Sequence, residues 1–198
     1  MLLTVTMNAQ VTMKIQSFTI APGESKTILL EMDNPDFEAA CFRCDLHLPE
    51  GITFDKNSRG TAYNLTFNKD ADRTDATYHS LSSALQSDGA LRIVCFPPSA
   101  DVFLGNSGAI VNIPVTASSA IASGEYTLKI DNQEITNSTG VLVEKPVAYT
   151  ATVTVDTSTG INGINAVSIK TDGKYISNNQ LIIKKGSKIY NATSAQIK

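Results

Sequence analysis

The sequence predicts an all-β protein, a sandwich of about nine strands followed by a small β appendage. Three observations support this prediction. Apolar and polar residues alternate with a period of two over many short segments, as in half-buried strands. Turn-forming Gly, Pro, Asn and Asp residues separate these segments at short intervals, which is typical of sandwiches. No amphipathic run of helical length interrupts the pattern.

The first two predicted strands lie before residue 34. Residues 11–20 alternate, so that Val11, Met13 and Ile15 share one face of a single predicted strand. The turn sequence APGES follows, and then a second strand with the sequence KTILLEMD. The sequence DNPD, residues 33–36, predicts the next turn.

The third predicted strand lies within FEAACFRCDLHLPEGITF, residues 37–54. Because alternate residues of a strand share a face, we expect one apolar set in the core and one polar set in solvent. The apolar set comprises Phe42, Cys44, Leu46 and Leu48, and the polar set comprises Arg43, Asp45 and His47. Pro49 and Gly51 end this strand.

The remaining sandwich strands follow the same rule up to Val155. Their sequences are TAYNLTF, TYHSLSSALQ, ALRIVCF, AIVNIPVTA, GEYTLKIDNQEIT and AYTATVTV. The Gly-rich sequence DTSTGINGIN then predicts a linker. Short strands separated by turn dipeptides follow it, and we expect a β-hairpin or a three-stranded appendage there. The predicted domains are therefore 10–156 for the sandwich, 157–173 for the linker and 174–198 for the appendage.

The N-terminal sequence MLLTVTMNAQ allows two interpretations. Its apolar stretch before Asn8 and Ala9 predicts the tail of a secretory signal peptide, residues 1–9, that lacks its basic region. The alternative is an ordinary first strand. No other apolar run approaches the ~18 residues of a membrane helix, so we expect no transmembrane segment in the mature chain.

Composition limits the classes of function. The 198 residues are 42% hydrophobic and 18% charged, which supports a folded core. The net charge of -3 implies no basic face, so nucleic acid is not an expected partner. His47 and His79 are expected on outer strand faces, and Ser80 follows without nucleophile-elbow spacing. We therefore predict that the protein is not an enzyme.

The three cysteines favour a structural role. On a strand, Cys41 and Cys44 point to opposite faces, which disfavours both a metal site and a redox pair. Cys44 and Cys95 occupy apolar positions of two predicted strands. They are expected either as two buried thiols or, in an exported protein, as a disulfide between neighbouring strands.

Two stretches resemble cohesin modules. These are APGESKTILLEMDNPDFEAACFRCDLHLPEGITF and SDGALRIVCFPPSADVFLGNSGAIVNIPVTASSAIASGEYTLKIDN, and the resemblance covers residues 11–155. It implies a jelly-roll sandwich that binds a protein partner through one sheet face, without catalysis. Some carbohydrate-binding modules have a closely similar sandwich, so the resemblance leaves a glycan as the alternative ligand. A structural spacer of the cell envelope is the third expectation.

The segment from Gly160 to Lys198 resembles C-terminal appendages of exported proteins from anaerobic gut bacteria. The corresponding pieces include GI, KYI, LIIKKG, KIYN and the final IK, whereas Thr193 and Ser194 replace the usual Asn-Gly. This resemblance implies export to the cell surface or the extracellular space.

A glycan ligand would require exposed aromatic rings with polar groups nearby. The sequence contains no Trp, and two tyrosines flank the polar loop NKDADRTD. The candidate ligand-binding residues are Tyr63, Tyr78, Asp70, Asp72, Arg73 and Asp75. The carboxylates of this loop, or those of DNPDFE at 33–38, could instead hold calcium. Otherwise no cofactor is expected.

Overall fold

The structure is a computed structural model that describes residues 11–35, 37–69, 73–74, 79–157, 173–177, 180–185 and 188–190. The chain divides into two compact units, Met1–Val155 and Asp156–Lys198. The first unit contains two β-sheets and the second contains one. Within the described part of the chain, no helical segment has the length and hydrophobicity that a membrane crossing requires.

The smaller sheet of the first unit has five strands in the order β1-β3-β9-β5, with β6 also paired to β9. The strands are Thr12–Lys14 (β1), Ser25–Asp33 (β3), Ile52–Phe54 (β5), Thr66–Phe67 (β6) and Ala109–Ala117 (β9). All of their pairings are antiparallel.

The larger sheet has seven strands in the order β2-β12-β10-β4-β8-β7, with β11 also paired to β10. The strands are Phe18–Ile20 (β2), Cys41–His47 (β4), Ser80–Leu85 (β7), Leu91–Phe96 (β8), Gly124–Thr136 (β10), Leu142–Glu144 (β11) and Tyr149–Val155 (β12). Only the β12–β2 pairing is parallel among these strands. The predicted all-β sandwich is confirmed.

The core lies between the two sheets because alternate residues of each long strand point inward. In β4 these are Phe42, Cys44 and Leu46, each at most 2% exposed. They pack in one cluster with inward residues of β3, β8, β9, β10 and β12. Each such side chain stabilises the fold by roughly 1.5–3 kcal/mol through burial, before the entropy cost of folding.

The predicted first strand is divided in the structure. β1 belongs to the smaller sheet and β2 to the larger one, so the chain changes sheet between Lys14 and Phe18. Val11, Met13 and Ile15 are buried as expected. The predicted strand TAYNLTF is also shorter, because only β6 and an isolated bridge between Lys56 and Tyr63 pair within it. Such divisions explain why twelve strands form where about nine were predicted.

Arg73 is an internal anchor, which corrects its prediction as a ligand-binding residue. Its side chain is 1% exposed. The guanidinium donates hydrogen bonds to the backbone carbonyls of Met32 and Leu104 and to the Oδ1 atom of Asn34. Burial lowers the pKa of Arg73, and the charge of Asp33 opposes that change. Arg73 therefore ties the end of β3 to the loop that precedes β9.

The predicted disulfide between Cys44 and Cys95 is not formed, and all three cysteines are free. In the β4–β8 register, Cys44 lies opposite Ile93 and Cys95 lies opposite Phe42. The two cysteines are therefore diagonal neighbours, typically ~7–8 Å apart between Cα atoms. A disulfide requires about 4.4–6.8 Å. The alternative prediction of two buried thiols agrees with the structure.

The second unit contains a three-stranded antiparallel sheet in the order β13-β14-β15. Its strands are Gly173–Ser177 (β13), Gln180–Lys185 (β14) and Lys188–Tyr190 (β15). The predicted signal-peptide tail, residues 1–9, lies outside the described residues, as do residues 158–172 of the predicted linker. The predicted domain scheme stays a prediction.

Replacing Arg73 with Ala should lower the free energy of unfolding by about 3 kcal/mol, because several buried acceptors lose their donor. Urea denaturation of the full chain measures this change. The matched control is Arg59→Ala, which removes an exposed arginine and should change stability by less than about 0.5 kcal/mol. Equal effects of the two substitutions would contradict the anchoring role.

The thiols offer a second test of the fold. Burial raises the pKa of Cys44 and Cys95 well above the ordinary thiol range, so neither forms the reactive thiolate. We expect a thiol reagent to label at most Cys41 in the native chain and all three cysteines in denaturant without reductant. A single label in denaturant, on a chain two hydrogens lighter than the singly labelled reduced chain, would reveal a disulfide instead.

Candidate binding face

The outer surface of the larger sheet holds five of the seven ion pairs found among the described residues. Because side chains alternate, the residues of β4 between its core positions point outward, and those of β8 and β10 lie beside them. We name this surface the charged face. It comprises Arg43, Asp45, His47, Arg92, Lys129, Asp131 and Glu134.

Two carboxylates oppose each other at the centre of the charged face. Asp45 on β4 pairs directly with Asp131 on β10. Like charges at directly opposite positions destabilise a sheet. Each carboxylate therefore requires its own cation, which is Arg92 of β8 for Asp45 and Lys129 of β10 itself for Asp131.

Asp45 is held by a fork of hydrogen bonds. Arg92 on β8 donates from Nε to Oδ1 and from Nη2 to Oδ2, both at 2.7 Å. Asn132 donates to Oδ2 at 2.9 Å. Arg92 lowers the pKa of Asp45, burial raises it, and Asn132 lowers it, so the pKa lies below its ordinary value. Asp45 is 2% exposed, which corrects its prediction as a solvent-facing residue.

Asp131 is held from two sides. Its Oδ1 atom lies 3.1 Å from Nε2 of His47, and its Oδ2 atom lies 2.5 Å from Nζ of Lys129. Burial raises the pKa of Asp131, while the hydrogen bonds from Lys129 and His47 lower it, and the net shift is downward. The carboxylate is therefore ionised at neutral pH, and the side chains of His47 and Lys129 stay partly exposed beside it.

A β-bulge in β10 completes the charged face. Asp131 lies opposite Asp45 and Glu134 lies opposite Arg43, so β10 has one more residue than β4 between these pairs. Asn132 adopts a positive φ of 47° within the bulge. The extra residue changes the phase of alternation, so Asp131 and Glu134 both point outward. Glu134 then binds Arg43 at 2.9 Å and Lys145 at 3.1 Å.

Apolar residues adjoin the charged face on β8. We name Val94 and Phe96 the apolar flank, since both alternate outward with Arg92. Val94 lies opposite Arg43 on one side and Ser82 on the other. Phe96 is 43% exposed. Aromatic residues and arginines are both enriched at protein interfaces.

The outer surface of the smaller sheet differs in chemistry. Hydroxyl groups dominate it, as in the hydrogen bonds of Thr116 with Ser25 and Asp55. Leu29 is its exposed large apolar residue, at 37%. Its ion pairs join Lys14 to Glu31 and Asp33 at one end. The two outer surfaces of the sandwich thus offer a partner different groups.

The predicted ligand-binding loop does not form a site within the described residues. Tyr63 is half-buried, with its ring edge-on to Phe54 at 6.0 Å and Lys56 Nζ 5.2 Å from its centroid. Arg73 is the internal anchor described above. The other candidates, Asp70, Asp72, Asp75 and Tyr78, lie outside the described residues.

Residues of the second predicted calcium cluster, 33–38, make other contacts. Asp33 forms an ion pair with Lys14, and Asn34 is buried with its Oδ1 atom bound to Arg73. Asp36 lies outside the described residues, which hold no group of three or more His, Cys, Asp and Glu residues placed to bind a metal.

The two histidines differ in position. His47 lies on the charged face, as its predicted outward position requires. His79 was also expected on an outer surface, and that prediction is wrong. It is 4% exposed and stacks on Phe103, with ring centroids 4.6 Å apart. The structure therefore assigns His79 a packing role.

The sequence predicted the outward residues of β4 but not those of β8 and β10 that complete the charged face, although one signal was present in β10. Leu128 and Ile130 are inward residues of β10 at even positions, whereas Ile135 is inward at an odd position. This change of phase across DNQE indicates a bulge. Lys129 lies on the same strand as Asp131, but Arg92 and His47 come from other strands, so their pairing with the carboxylates required the register.

The Asp45 fork predicts a pH dependence. Because the pKa of Asp45 is lowered by folding, its stabilisation is present above the ordinary aspartate value and is lost as pH falls through the folded value. Asp45→Asn should cost about 2 kcal/mol at neutral pH, and the difference from wild type should shrink toward pH ~3. Urea denaturation at a series of pH values measures this difference in unfolding free energy. The control is Glu125→Gln, which changes an exposed residue. A difference that stays constant with pH would contradict an electrostatic origin.

Comparisons with known proteins identify the fold. No family model matches the chain, and no curated protein matches it. Among solved structures, the CaCohA2 cohesin of Clostridium acetobutylicum, in complex with CaDoc0917, is similar with a TM-score of 0.61 and 12% identity. The match covers 74% of this chain and 100% of that one.

Two further structures have the same architecture. A non-cellulosomal cohesin from Archaeoglobus fulgidus matches with a TM-score of 0.56 and 11% identity, over 78% of this chain and 97% of that one. The Coh-OlpA cohesin of Clostridium thermocellum, in a complex with Doc918, matches with a TM-score of 0.57 and 9% identity. The match covers 75% of this chain and 100% of that one. The fold of this chain is therefore a cohesin-like β-sandwich.

Proposed function

We propose that this chain is a non-catalytic binding module that attaches to a protein partner through the charged face and the apolar flank. The observation that carries the proposal is the pairing of fixed ions with an exposed phenylalanine on one side of the sandwich. Solved structures of similar fold include the CaCohA2 and OlpA cohesins in complexes with the partners CaDoc0917 and Doc918. A partner protein of dockerin type is the first one to test.

The charged face can recognise a partner without rearranging. Arg43 and Arg92 keep 39% and 33% of their side chains exposed while they hold Glu134 and Asp45. A guanidinium has five donors, so each arginine can also bind an acceptor on the partner. Since the ion pairs already fix the side chains, association costs less conformational entropy.

The apolar flank supplies the hydrophobic part of the contact. Burying exposed Phe96 and Val94 against an apolar partner residue adds hydrophobic stabilisation next to the ions. Aromatic residues and arginines are the side chains that most often dominate binding energies at interfaces. A glycan ligand is less well supported, because Tyr63 is half-buried and Lys56 lies over one face of its ring.

We also propose that the protein acts outside the cytoplasm, at the cell surface or in the extracellular space. Support comes from the apolar segment before Ala9 and from the C-terminal resemblance to appendages of exported proteins. Mass spectrometry of the protein from its source cells would test this: an N-terminus at Gln10 in the envelope or medium supports export, and an intact N-terminus in the cytoplasm contradicts it.

Phe96→Ala should weaken partner binding at least tenfold, whereas Leu29→Ala should leave it within about twofold. The control is matched, because both residues are partly exposed and lie on opposite sheets. The chain is immobilised, CaDoc0917, Doc918 and envelope proteins of the source cell are passed over it, and affinities are compared by surface plasmon resonance. Equal effects of the two substitutions would place the interface elsewhere.

The same experiment separates the alternatives. Binding to a polysaccharide panel, with no protein retained, would overturn the protein-partner proposal in favour of a glycan. Retention of neither class would leave a spacer function. Arg92→Ala should also weaken protein binding, and raising the salt concentration should slow association because charged groups steer the encounter.

A further inference from the structure

Strand β7 forms an end of the larger sheet and is unlike the other end strands. β1, β2 and β5 end their sheets with three residues each, whereas β7 has six. Its sequence SLSSAL contains no charged residue and no proline. Short strands, charges and prolines are the usual means by which proteins prevent association at a sheet edge. β7 uses none of them.

The free side of β7 presents backbone hydrogen-bonding groups. In an antiparallel pair, alternate residues direct their N–H and C=O groups away from the neighbour. β7 pairs with β8 over its full length, from Ser80 opposite Phe96 to Leu85 opposite Leu91. Among the described residues, no strand pairs with its other side. The side chains of Ser82, Ala84 and Leu85 are exposed, Leu85 at 57%.

We propose that β7 pairs with β7 of a second copy of this chain, antiparallel and about a twofold axis, and joins two larger sheets into one. The sequence is self-complementary in this arrangement. With the axis at Ser83, Leu81 lies opposite Leu85 of the second copy, and Ser82 lies opposite Ala84. No like charges meet, and two leucine pairs cover the exposed Leu85 side chains.

The register follows from the alternation of side chains. Paired residues must share a face, so the axis passes through a residue position. An axis at Ser82 would place Leu85 opposite His79, outside the strand, and would pair Leu81 with Ser83. The axis at Ser83 therefore buries more apolar surface. A contact of two short strands is small, so we expect a weak, concentration-dependent dimer.

This association is separate from the charged face and extends its function. Because β7 lies at the sheet edge beside β8, pairing would place two charged faces on one continuous sheet. A partner with repeated binding modules could then engage both copies, and linked binding events raise the overall affinity.

Sedimentation velocity of the full chain tests the proposal, from low micromolar to several hundred micromolar. We expect a dimer that increases with concentration. S82K/A84K and S82E/A84E each place like charges opposite one another, so each variant alone should stay monomeric. Their equimolar mixture should restore the dimer, because lysine then meets glutamate. The control T150K/T152K, on exposed positions of β12, a strand paired on both sides, should dimerise as wild type does.

Several results would overturn the proposal. They are a wild-type chain that stays monomeric throughout, an S82K/A84K variant that dimerises like wild type, or a mixture that stays monomeric. Thermal unfolding of each variant confirms that it is folded, since the substituted residues are exposed.

Discussion

The alternation of side chains along β4 is the constraint on which both the fold and the charged face depend. β4 pairs with β10 on one side and β8 on the other. Its inward residues enter the core, and its outward residues carry the charges. A shift of one residue in this register would bury Arg43 and expose Phe42, so the core fixes the arrangement of the charged face.

The charged face is stabilised by its own neighbours. Two opposed carboxylates would repel each other, but Arg92 neutralises Asp45, Lys129 neutralises Asp131, and His47 forms a hydrogen bond with Asp131. The bulge at Asn132 bends β10 locally, and the positive φ there is tolerated because asparagine adopts it more readily than most residues. The same asparagine binds Asp45. Local backbone geometry and the ion pairs therefore support one another.

Most of the strands could be predicted from local pattern alone, whereas contacts between distant segments could not. β9 and β10 lie where the sequence predicts them, and β3, β8 and β12 differ by a residue at one end, because long alternating runs have one stable arrangement on a sheet. Arg73 looked like a surface residue of a polar loop, yet it satisfies carbonyls of residues 32 and 104. His79 stacks on a phenylalanine 24 positions away, and Asp45 finds its arginine on another strand. Each of these outcomes depends on which segments meet, and alternation along one strand carries no information about that.

Amide hydrogen exchange of the full chain, with and without a captured protein partner, distinguishes the two outer surfaces of the sandwich as binding sites. If the partner binds the charged face and the apolar flank, exchange should slow in β4, β8 and β10, with β3 and β9 unchanged. Protection confined to β3 and β9 would place the interface on the opposite sheet and contradict the proposed function.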